Sequence, residues 1–226
     1  GETDRIVSLL TPGRGKVRAV AKGVRRPGSK FGGRLEPFSH VDLQLYSGRS
    51  LDVITQAELI TPFAAVRADF ALSACGSAMA EAADRVAQED ERSTRLLVLL
   101  LDGLRALSRH PTHPSVVLDA YLFRLASVAG YHPYLEACAS CGTPGPHLVF
   151  HLAAGGVLCP VCAPAGTRPL DPGVVELLGV LRDADWNGLD IVAADPRLCR
   201  AAGALVNSFL TYHLGRPLTA WGLVPR

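Results

Sequence analysis

The chain has 226 residues with a formal net charge of +2, and its composition is 48% hydrophobic but only 6% aromatic. This length permits one large domain or two small ones, and it can bury a core without disulfides. Ala, Leu and Val make up most of the apolar residues, which favours packed helices over an all-β sandwich. Because no apolar run reaches the roughly 18 residues of a membrane span, we expect a soluble protein that uses no membrane.

The small net charge conceals a strong segregation of charge along the chain. Residues 1–40 hold nine Lys or Arg against three carboxylates, a net charge of +6 that leaves −4 for the remainder. Between Arg5 and Arg34 there is no Asp or Glu. Such a distribution is typical of a protein that binds a polyanion.

Residues 4–60 predict β-strands, because apolar residues alternate over short runs bounded by Gly, Pro and Ser. Alternation on both sides of residues 47–50 predicts a hairpin over residues 38–60. In residues 16–22 the alternation also sorts charge. Lys16, Arg18 and Lys22 share one face with Val20, and the other face holds Val17, Ala19 and Ala21.

Beyond residue 61 the apolar spacing becomes helical. Thr61-Pro62, Asp171-Pro172 and Asp195-Pro196 each offer an N-cap side chain followed by Pro at the first helical position. Gly130 and Gly215 stand where helices are expected to end. The helices are apolar enough to pack together in a bundle. We expect them at residues 62–88, 92–109, 114–129, 172–184 and 196–214.

Four of the six cysteines form two Cys-x2-Cys pairs that are separated by 17 residues. This spacing is typical of zinc sites in which each pair offers two thiolates from one tight turn. A closed shell of four thiolates leaves no open position for a substrate, so we expect one structural Zn²⁺ per chain that supports folding. The predicted ligands are Cys138, Cys141, Cys159 and Cys162.

Other interpretations of these cysteines remain open at this point. The four could form two short disulfides or stay unliganded, and His132, His147 or His151 could replace one ligand. A hairpin with Gly155-Gly156 at its turn is expected between the two pairs, at residues 147–158. Cys75 and Cys199 lie on predicted helices and are expected to be small buried hydrophobes.

The basic N-terminal segment combines many cations with glycine, which lets a phosphate backbone approach closely. Residues 11–17 connect two predicted strands, and residues 22–35 form a long glycine-rich loop. The alternative is a merely solvated basic loop. The candidate DNA-binding residues are Arg14, Lys16, Arg18, Lys22, Arg25, Arg26, Lys30, Phe31 and Arg34.

Several runs in this segment resemble the N-terminal signature of RecO, a family of bacterial DNA repair and recombination mediators. The resemblance continues through a helical region and a four-cysteine cluster to the ending at residues 213–218, and so covers essentially the whole chain. The N-terminal runs are Glu2–Thr11, Gly15-Lys16, Val20–Gly23, Arg25-Arg26 and Leu35–Ser39.

The resemblance implies an α+β protein with an N-terminal OB-fold β-barrel and a helical-bundle domain that carries an inserted four-cysteine zinc module. The expected domains are residues 1–60 and 61–226, with the module at about 136–165. The family normally has a further strand before the Glu-x-Asp motif, so we expect that an N-terminal stretch is missing here. Some family members lack the full cysteine set, which would make the metal a stabilising option.

The resemblance also implies a function. Proteins of this family bind single- and double-stranded DNA, anneal complementary strands and, with the partner RecR, help to load the RecA recombinase onto DNA coated by single-strand binding protein (SSB). The expected location is the cytoplasm, in association with the nucleoid.

An OB-fold commonly adds aromatic side chains on which bases stack. Phe38 and Tyr46 are expected to belong to the barrel and its rim, which leaves Phe31 in the loop as the expected base-stacking residue. Binding should therefore be mainly electrostatic and only weakly dependent on base sequence.

The sequence offers little support for an enzyme. Residues 13–16 lack the spacing and the following Ser or Thr of a Walker loop, and neither His-Glu-x-x-His nor Gly-x-Ser-x-Gly occurs. Asp183, Asp185 and the acidic residues 89–91 could suggest a nuclease metal site, but charged clusters at helix ends are usually solvated. We expect no catalytic residues and no small-molecule substrate.

A protein-interaction scaffold is the alternative from another class, with the basic segment bound to an acidic protein tail. The tail of SSB is such a ligand, and a groove on this protein that binds the tail would need cations beside apolar helix residues. Arg105, Arg109 and Arg124 are available for this, and the sequence does not distinguish among them. The chain starts at Gly1 without an initiator Met, and its ending at residues 223–226 could be the remnant of a protease-cleavage site.

Overall fold

The computed structural model describes residues 2–189 and 195–226. Its N-terminal part is a four-stranded mixed sheet with the strand order β1-β2-β4-β3. Two antiparallel hairpins, β1-β2 and β3-β4, are joined by a short parallel pairing in which Ala19 lies opposite Asp52 and Val20 opposite Val53. The predicted hairpin over residues 38–60 is therefore confirmed. The strands are β1 (Arg5–Thr11), β2 (Gly15–Ala21), β3 (His40–Tyr46) and β4 (Asp52–Thr61).

The predicted alternation along β2 is confirmed. Val17, Ala19 and Ala21 are buried, whereas Arg18 is exposed. We call the four strands together with residues 22–35 the sheet domain. Its core is completed by Phe31 and Leu35, which lie between β2 and β3 in the chain, and by Ile54 on β4. The mainly apolar inner faces of the strands thus enclose a small core, and the charged face of β2 points away from it.

Residues 22–35 fold into successive tight turns that end in a 3-10 helix at Gly32–Leu35. The amide of Arg26 donates to the Gly23 carbonyl at 3.1 Å, and the Ser29 amide donates to the Arg26 carbonyl at 3.0 Å. Phe31 and Leu35 are buried in the core of the sheet domain and anchor this segment there. The glycine-rich segment is therefore an ordered turn structure on the sheet domain.

Within residues 61–189 and 195–226, the helical part has six helices and a small hairpin. Helix α4 is buried on nearly every side from Val116 to Ala126, and it packs against α2, α3, α5 and α6. A helix that is apolar all round is expected at the centre of a bundle. The helices are α1 (Ala64–Ala68), α2 (Phe70–Val86), α3 (Thr94–Leu107), α4 (Pro114–Val128), α5 (Pro172–Asp183) and α6 (Pro196–Leu214), and the hairpin strands are β5 (Val149–His151) and β6 (Gly156–Leu158).

The predicted helix over residues 62–88 is wrong in one respect, because the structure divides it into α1 and α2. The Asp69 carboxylate accepts the Leu72 amide at 2.9 Å and caps a new helix that begins at Phe70. Thr61 does not cap a helix, since it ends β4, and Phe63 turns the chain with a φ of 44°. The caps at Asp171 and Asp195 and the helix end at Gly215 are confirmed.

The sheet domain and the bundle are joined by backbone hydrogen bonds around the β1-β2 turn. The Lys16 amide donates to the Gln88 carbonyl at 2.9 Å, and the Asp90 amide donates to the Arg14 carbonyl at 3.0 Å. Gly15, in the middle of this contact, has a φ of +58°, and a Cβ there would lie 2.3 Å from the Gln88 carbonyl oxygen. Only glycine fits this close approach.

The last residues of the chain pack on the bundle. Glu81 on α2 accepts the amides of Thr219 and Ala220 at 2.9 and 2.8 Å, and Val224 is buried in the helical core. The side chain of Arg226 pairs with Asp119 on α4. Of residues 223–226, which could be a cleavage remnant by their sequence alone, Val224 and the side chain of Arg226 thus pack on the bundle, whereas Leu223 is 60% exposed. Among the described residues, no helix has the length and apolarity of a membrane span.

Candidate nucleic-acid interface and metal centre

The predicted DNA-binding cations fall into three groups in the structure. Arg18 on β2 and the turn residues Lys22, Arg25 and Arg26 are all exposed. Arg18 extends from the outward face of β2, and the other three follow the end of that strand. These four cations lie close together in the chain, and the fold leaves them accessible to a polyanion.

Arg14 and Lys16, by contrast, contact carboxylates of other elements. Arg14 pairs with Asp52 at 2.7 Å and with Asp90 at 3.4 Å, and Lys16 pairs with Asp84 on α2 at 2.9 Å. The hydrogen bond and charge of Asp52 raise the pKa of Arg14 above its usual range. The absence of carboxylates within the basic segment is therefore compensated by its neighbours in the fold. Arg14 and Lys16 lie at the contact between the two domains.

Lys30 and Arg34 hold the turns of the segment together through their long side chains. The Lys30 ammonium donates to the Thr55 carbonyl at 2.9 Å, and Arg34 donates to the carbonyls of Lys30 and Phe31 at 3.0 and 3.3 Å. All of these hydrogen bonds end on backbone oxygens, which leave the positive charges uncompensated. Lys30 and Arg34 therefore keep their attraction for a phosphate.

The structure corrects the prediction that Phe31 stacks on a base. Its side chain is only 1% exposed and lies in the core of the sheet domain, with Lys30 above its ring. It cannot stack on a base in this conformation, because the hydrophobic effect favours its place inside the sheet domain. Tyr46 is 69% exposed at the end of β3, whereas Phe38 packs against the helical core. The burial of β3 alternates, and Tyr46 is exposed on the same side as Asp42 and Gln44.

The four predicted metal ligands lie together. The sulfur atoms of Cys138, Cys141, Cys159 and Cys162 are all within 4.8 Å of one another, and those of Cys141 and Cys159 are 3.7 Å apart. A tetrahedral zinc with bonds of about 2.3 Å would separate its sulfur ligands by about 3.8 Å. The donor set and its spacing therefore fit one tetrahedral metal ion.

Tight turns present these thiols. The Gly142 amide donates to the Cys138 carbonyl at 2.8 Å, and the Cys162 amide donates to the Cys159 carbonyl at 3.1 Å. Burial alone would raise the pKa of the Cys138 thiol, but hydrogen bonds from backbone amides, including those of Cys159 and Cys141, lower it to about 6. A thiol that deprotonates this readily is suited to bind a metal.

The module is attached to the bundle through its hairpin, which was predicted with its turn at Gly155-Gly156 and is confirmed. Phe150 on β5 meets Phe209 on α6 edge to face, with ring centroids 5.6 Å apart. Phe209 meets Phe123 on α4 in the same manner at 6.1 Å. This aromatic contact connects the four-cysteine module to the central helix.

The three histidines near the module have other partners. His132 contacts the Ser127 hydroxyl at 3.1 Å, His147 contacts the Thr143 carbonyl at 2.9 Å, and His151 accepts the Ala154 amide at 3.2 Å. Within the described ranges, the four cysteines form the one group of metal-ligating side chains that are close enough for an ion. Cys75 is buried, as predicted, and its burial raises the pKa of its thiol to about 12, while Cys199 is partly buried.

The acidic residues that could suggest a nuclease do not converge. Asp90 pairs with Arg14, and Asp183 pairs with Arg182. Asp185 accepts the amides of Asn187 and Gly188, both at 2.8 Å. Each of these three carboxylates therefore has a partner of its own.

A small mixed sheet with an outward basic face, joined to a helical bundle with a four-cysteine cluster that could hold a metal ion, defines an OB-fold-like protein with a helical second part. Two family models match in succession: Recombination protein O N terminal over residues 1–63 and Recombination protein O C terminal over residues 67–222. The chain belongs to the RecO family.

Two relatives agree with this assignment over nearly the whole chain. A Nocardioides protein named DNA repair protein RecO is 49% identical over 231 residues, which cover 100% of this chain and 94% of the relative. A Frankia casuarinae protein of the same name is 44% identical over 221 residues, which cover 97% of this chain and 90% of the relative.

Proposed function

We propose that this protein acts in DNA repair and homologous recombination. It binds single- and double-stranded DNA, anneals complementary strands, and helps RecR to load RecA onto DNA coated by SSB. The observation that carries the proposal is the exposed set Arg18, Lys22, Arg25 and Arg26 on the sheet domain. The names of the two relatives support the repair role, and the family resemblance is the basis for the named partners.

Electrostatics would account for both binding and annealing. Cations that meet phosphates release condensed counterions, which gives affinity without dependence on base sequence. Two complementary strands repel each other through their phosphates, and a bound cationic surface screens that repulsion. Annealing by this route needs bound protein and no nucleotide hydrolysis, which agrees with a protein that is not an enzyme.

The four-cysteine site would hold one Zn²⁺ with a structural role. Four thiolates would complete its coordination, so the ion would supply folding free energy and no reactive position. The contact of Phe150 with Phe209 would transmit that stabilisation to the bundle. We place the protein in the cytoplasm, in association with the nucleoid.

The proposal is tested by DNA binding and strand annealing with the intact protein, beside a variant in which Lys22, Arg25 and Arg26 are replaced by Ala. Binding of labelled single strands and duplexes is measured, with an excess of an acidic peptide as a competitor. Binding and annealing that are lost in the triple variant support the proposal. Binding of the acidic peptide without any binding of DNA would favour the scaffold function instead.

A further inference from the structure

The strand register places four side chains in one row across the outward face of the sheet. Ile6 on β1 lies opposite Val20 on β2, Val20 lies opposite Val53 on β4, and Val53 lies opposite Tyr46 on β3. Directly opposite residues in adjacent strands point to the same face of a sheet. The row is therefore Ile6-Val20-Val53-Tyr46, and we call it the outer row.

The ends of the outer row are exposed to solvent. Tyr46 is 69% exposed and Ile6 is 55% exposed, while Val20 and Val53 between them are partly buried. Three strand spacings give the row a length of about 14 Å. An exposed apolar row of this kind, with an aromatic ring at one end, suggests a binding surface.

The charges around the outer row determine the kind of ligand. Arg18 precedes Val20 by two residues on the same face of β2, and Lys22 follows it by two residues at the end of the strand. Asp42, four residues before Tyr46 on β3, lies opposite Glu58 and makes the far end of that hairpin acidic. A ligand with both planar apolar groups and negative charges would lie over the row and avoid the acidic end.

We propose that the outer row is a base-contacting surface for single-stranded DNA, with Tyr46 as the stacking residue and Arg18 and Lys22 as phosphate contacts. This inference rests on the proposed function and specifies how its sheet domain distinguishes single strands from duplexes. Unpaired bases expose the ring faces that stack on an aromatic side chain, whereas bases in a duplex are stacked on one another.

Tyr46 lies in an accessible position for this role. It ends β3 just before the turn of the hairpin, where residues 47–51 connect to β4. In the same hairpin, the Thr55 hydroxyl donates to the Gln44 carbonyl at 3.0 Å. The ring of Tyr46 is therefore presented by a hydrogen-bonded hairpin, which limits the entropy that stacking would cost.

The test compares Tyr46→Ala and Tyr46→Phe with Phe70→Ala, which removes a 72% exposed aromatic ring from α2 and serves as the matched control. The probes are a labelled oligothymidylate of about 16 nucleotides, near the upper size of an OB-fold site, an abasic strand of equal length and a duplex. Thermal unfolding of each variant establishes that the exposed substitution leaves the fold intact.

We expect Tyr46→Ala to weaken binding of the oligothymidylate by about tenfold, with Tyr46→Phe and Phe70→Ala close to wild type. Binding of the abasic strand and the duplex should be unchanged by Tyr46→Ala, and so should the dependence on salt. Equal binding of the oligothymidylate by wild type and Tyr46→Ala would overturn the inference and leave the proposed function standing. A wild-type protein that binds none of the three probes would overturn both.

Discussion

The guanidinium of Arg226 forms two parallel hydrogen bonds to the carboxylate of Asp119, at 2.8 and 3.0 Å. Asp119 lies on the central helix α4 and is only 2% exposed. The guanidinium also lies over the ring of Trp221, 3.7 Å from its centroid. A Cβ on Gly203 would lie 2.4 Å from the Asp119 carboxylate, so glycine makes room for the pair on α6. This ion pair joins the end of the chain to the middle of the bundle.

We predict that removal of Arg226 from this ion pair lowers the free energy of unfolding by an amount that depends on pH. Burial raises the pKa of Asp119 to about 6, although the charge and hydrogen bonds of Arg226 oppose the shift. The folded protein therefore keeps this proton up to a higher pH than the unfolded chain, and the group's contribution to stability falls as the pH rises from about 4 to about 6. In Arg226→Ala the carboxylate loses its partner, which should cost about 3 kcal/mol at pH 7 and less at pH 5, where the carboxyl group is protonated.

Urea denaturation at the two pH values measures this difference. Arg216→Ala, which alters an exposed residue of the same terminal segment, is the matched control and should match wild type at both. A loss in Arg226→Ala that is the same at pH 5 and pH 7 would show that the charge of Asp119 is not its cause.

Metal removal should act on the helical domain. We predict about one zinc per chain and a loss of about 4 kcal/mol or more in Cys159→Ser, because three thiolates cannot complete the shell. The exposed cations of the sheet domain should still bind DNA with an unchanged salt dependence. Elemental analysis and thermal unfolding are the measurements, and Cys199→Ser, outside the cluster, is the control. Protein without zinc, or disulfides within the cluster, would contradict the assignment.

The close contact at Gly15 gives a third prediction about stability. Gly15→Ala adds a Cβ that would lie 2.3 Å from the Gln88 carbonyl oxygen, at a backbone φ of +58°. We expect a loss of about 3 kcal/mol, because the β1-β2 turn must move away from the bundle. Gly13→Ala, whose Cβ would have no neighbour within 4 Å, should change the stability little. Equal melting temperatures for the two variants would contradict this account of the domain contact.

Strand annealing should be stoichiometric. If it depends on screening of phosphate repulsion, the initial rate rises with bound protein and does not change with added nucleotide. The measurement is annealing of two labelled complementary strands over a range of protein concentrations. Two results would contradict the prediction. One is full annealing at a protein concentration far below that of the strands, and the other is repeated cleavage of DNA that a single carboxylate substitution abolishes.

The features that depend on local patterns were predictable from the sequence. The alternation of apolar and charged residues predicted which side chains of β2 face inward and which face outward. The spacing of the cysteines predicted a metal-binding cluster, and the structure brings its four members together: Cys138, Cys141, Cys159 and Cys162. These patterns are set by the geometry of a strand or a tight turn, which residues near in sequence determine.

The features that depend on tertiary contacts were not predictable in the same way. Arg14 is without acidic neighbours in sequence, but the fold brings Asp52 and Asp90 beside it. Phe31 lies in a cationic, glycine-rich segment that suggested exposure, yet the core of the sheet domain contains it. The pairing of Arg226 with Asp119 joins residues 107 apart in the sequence. Each of these contacts depends on how distant elements pack.

The proposal that the exposed turn cations bind DNA is tested most directly by the salt dependence of affinity for single strands. If about five cations meet phosphates, the slope of log affinity against log salt should be roughly −3.5, and Arg25→Ala with Arg26→Ala should flatten it by about 1.4. The matched control is Arg197→Ala with Arg200→Ala, which removes two exposed cations from α6 and should leave the slope unchanged. Wild-type affinity and an unchanged slope in the Arg25 and Arg26 double variant would contradict the account and place the DNA surface on the helical domain.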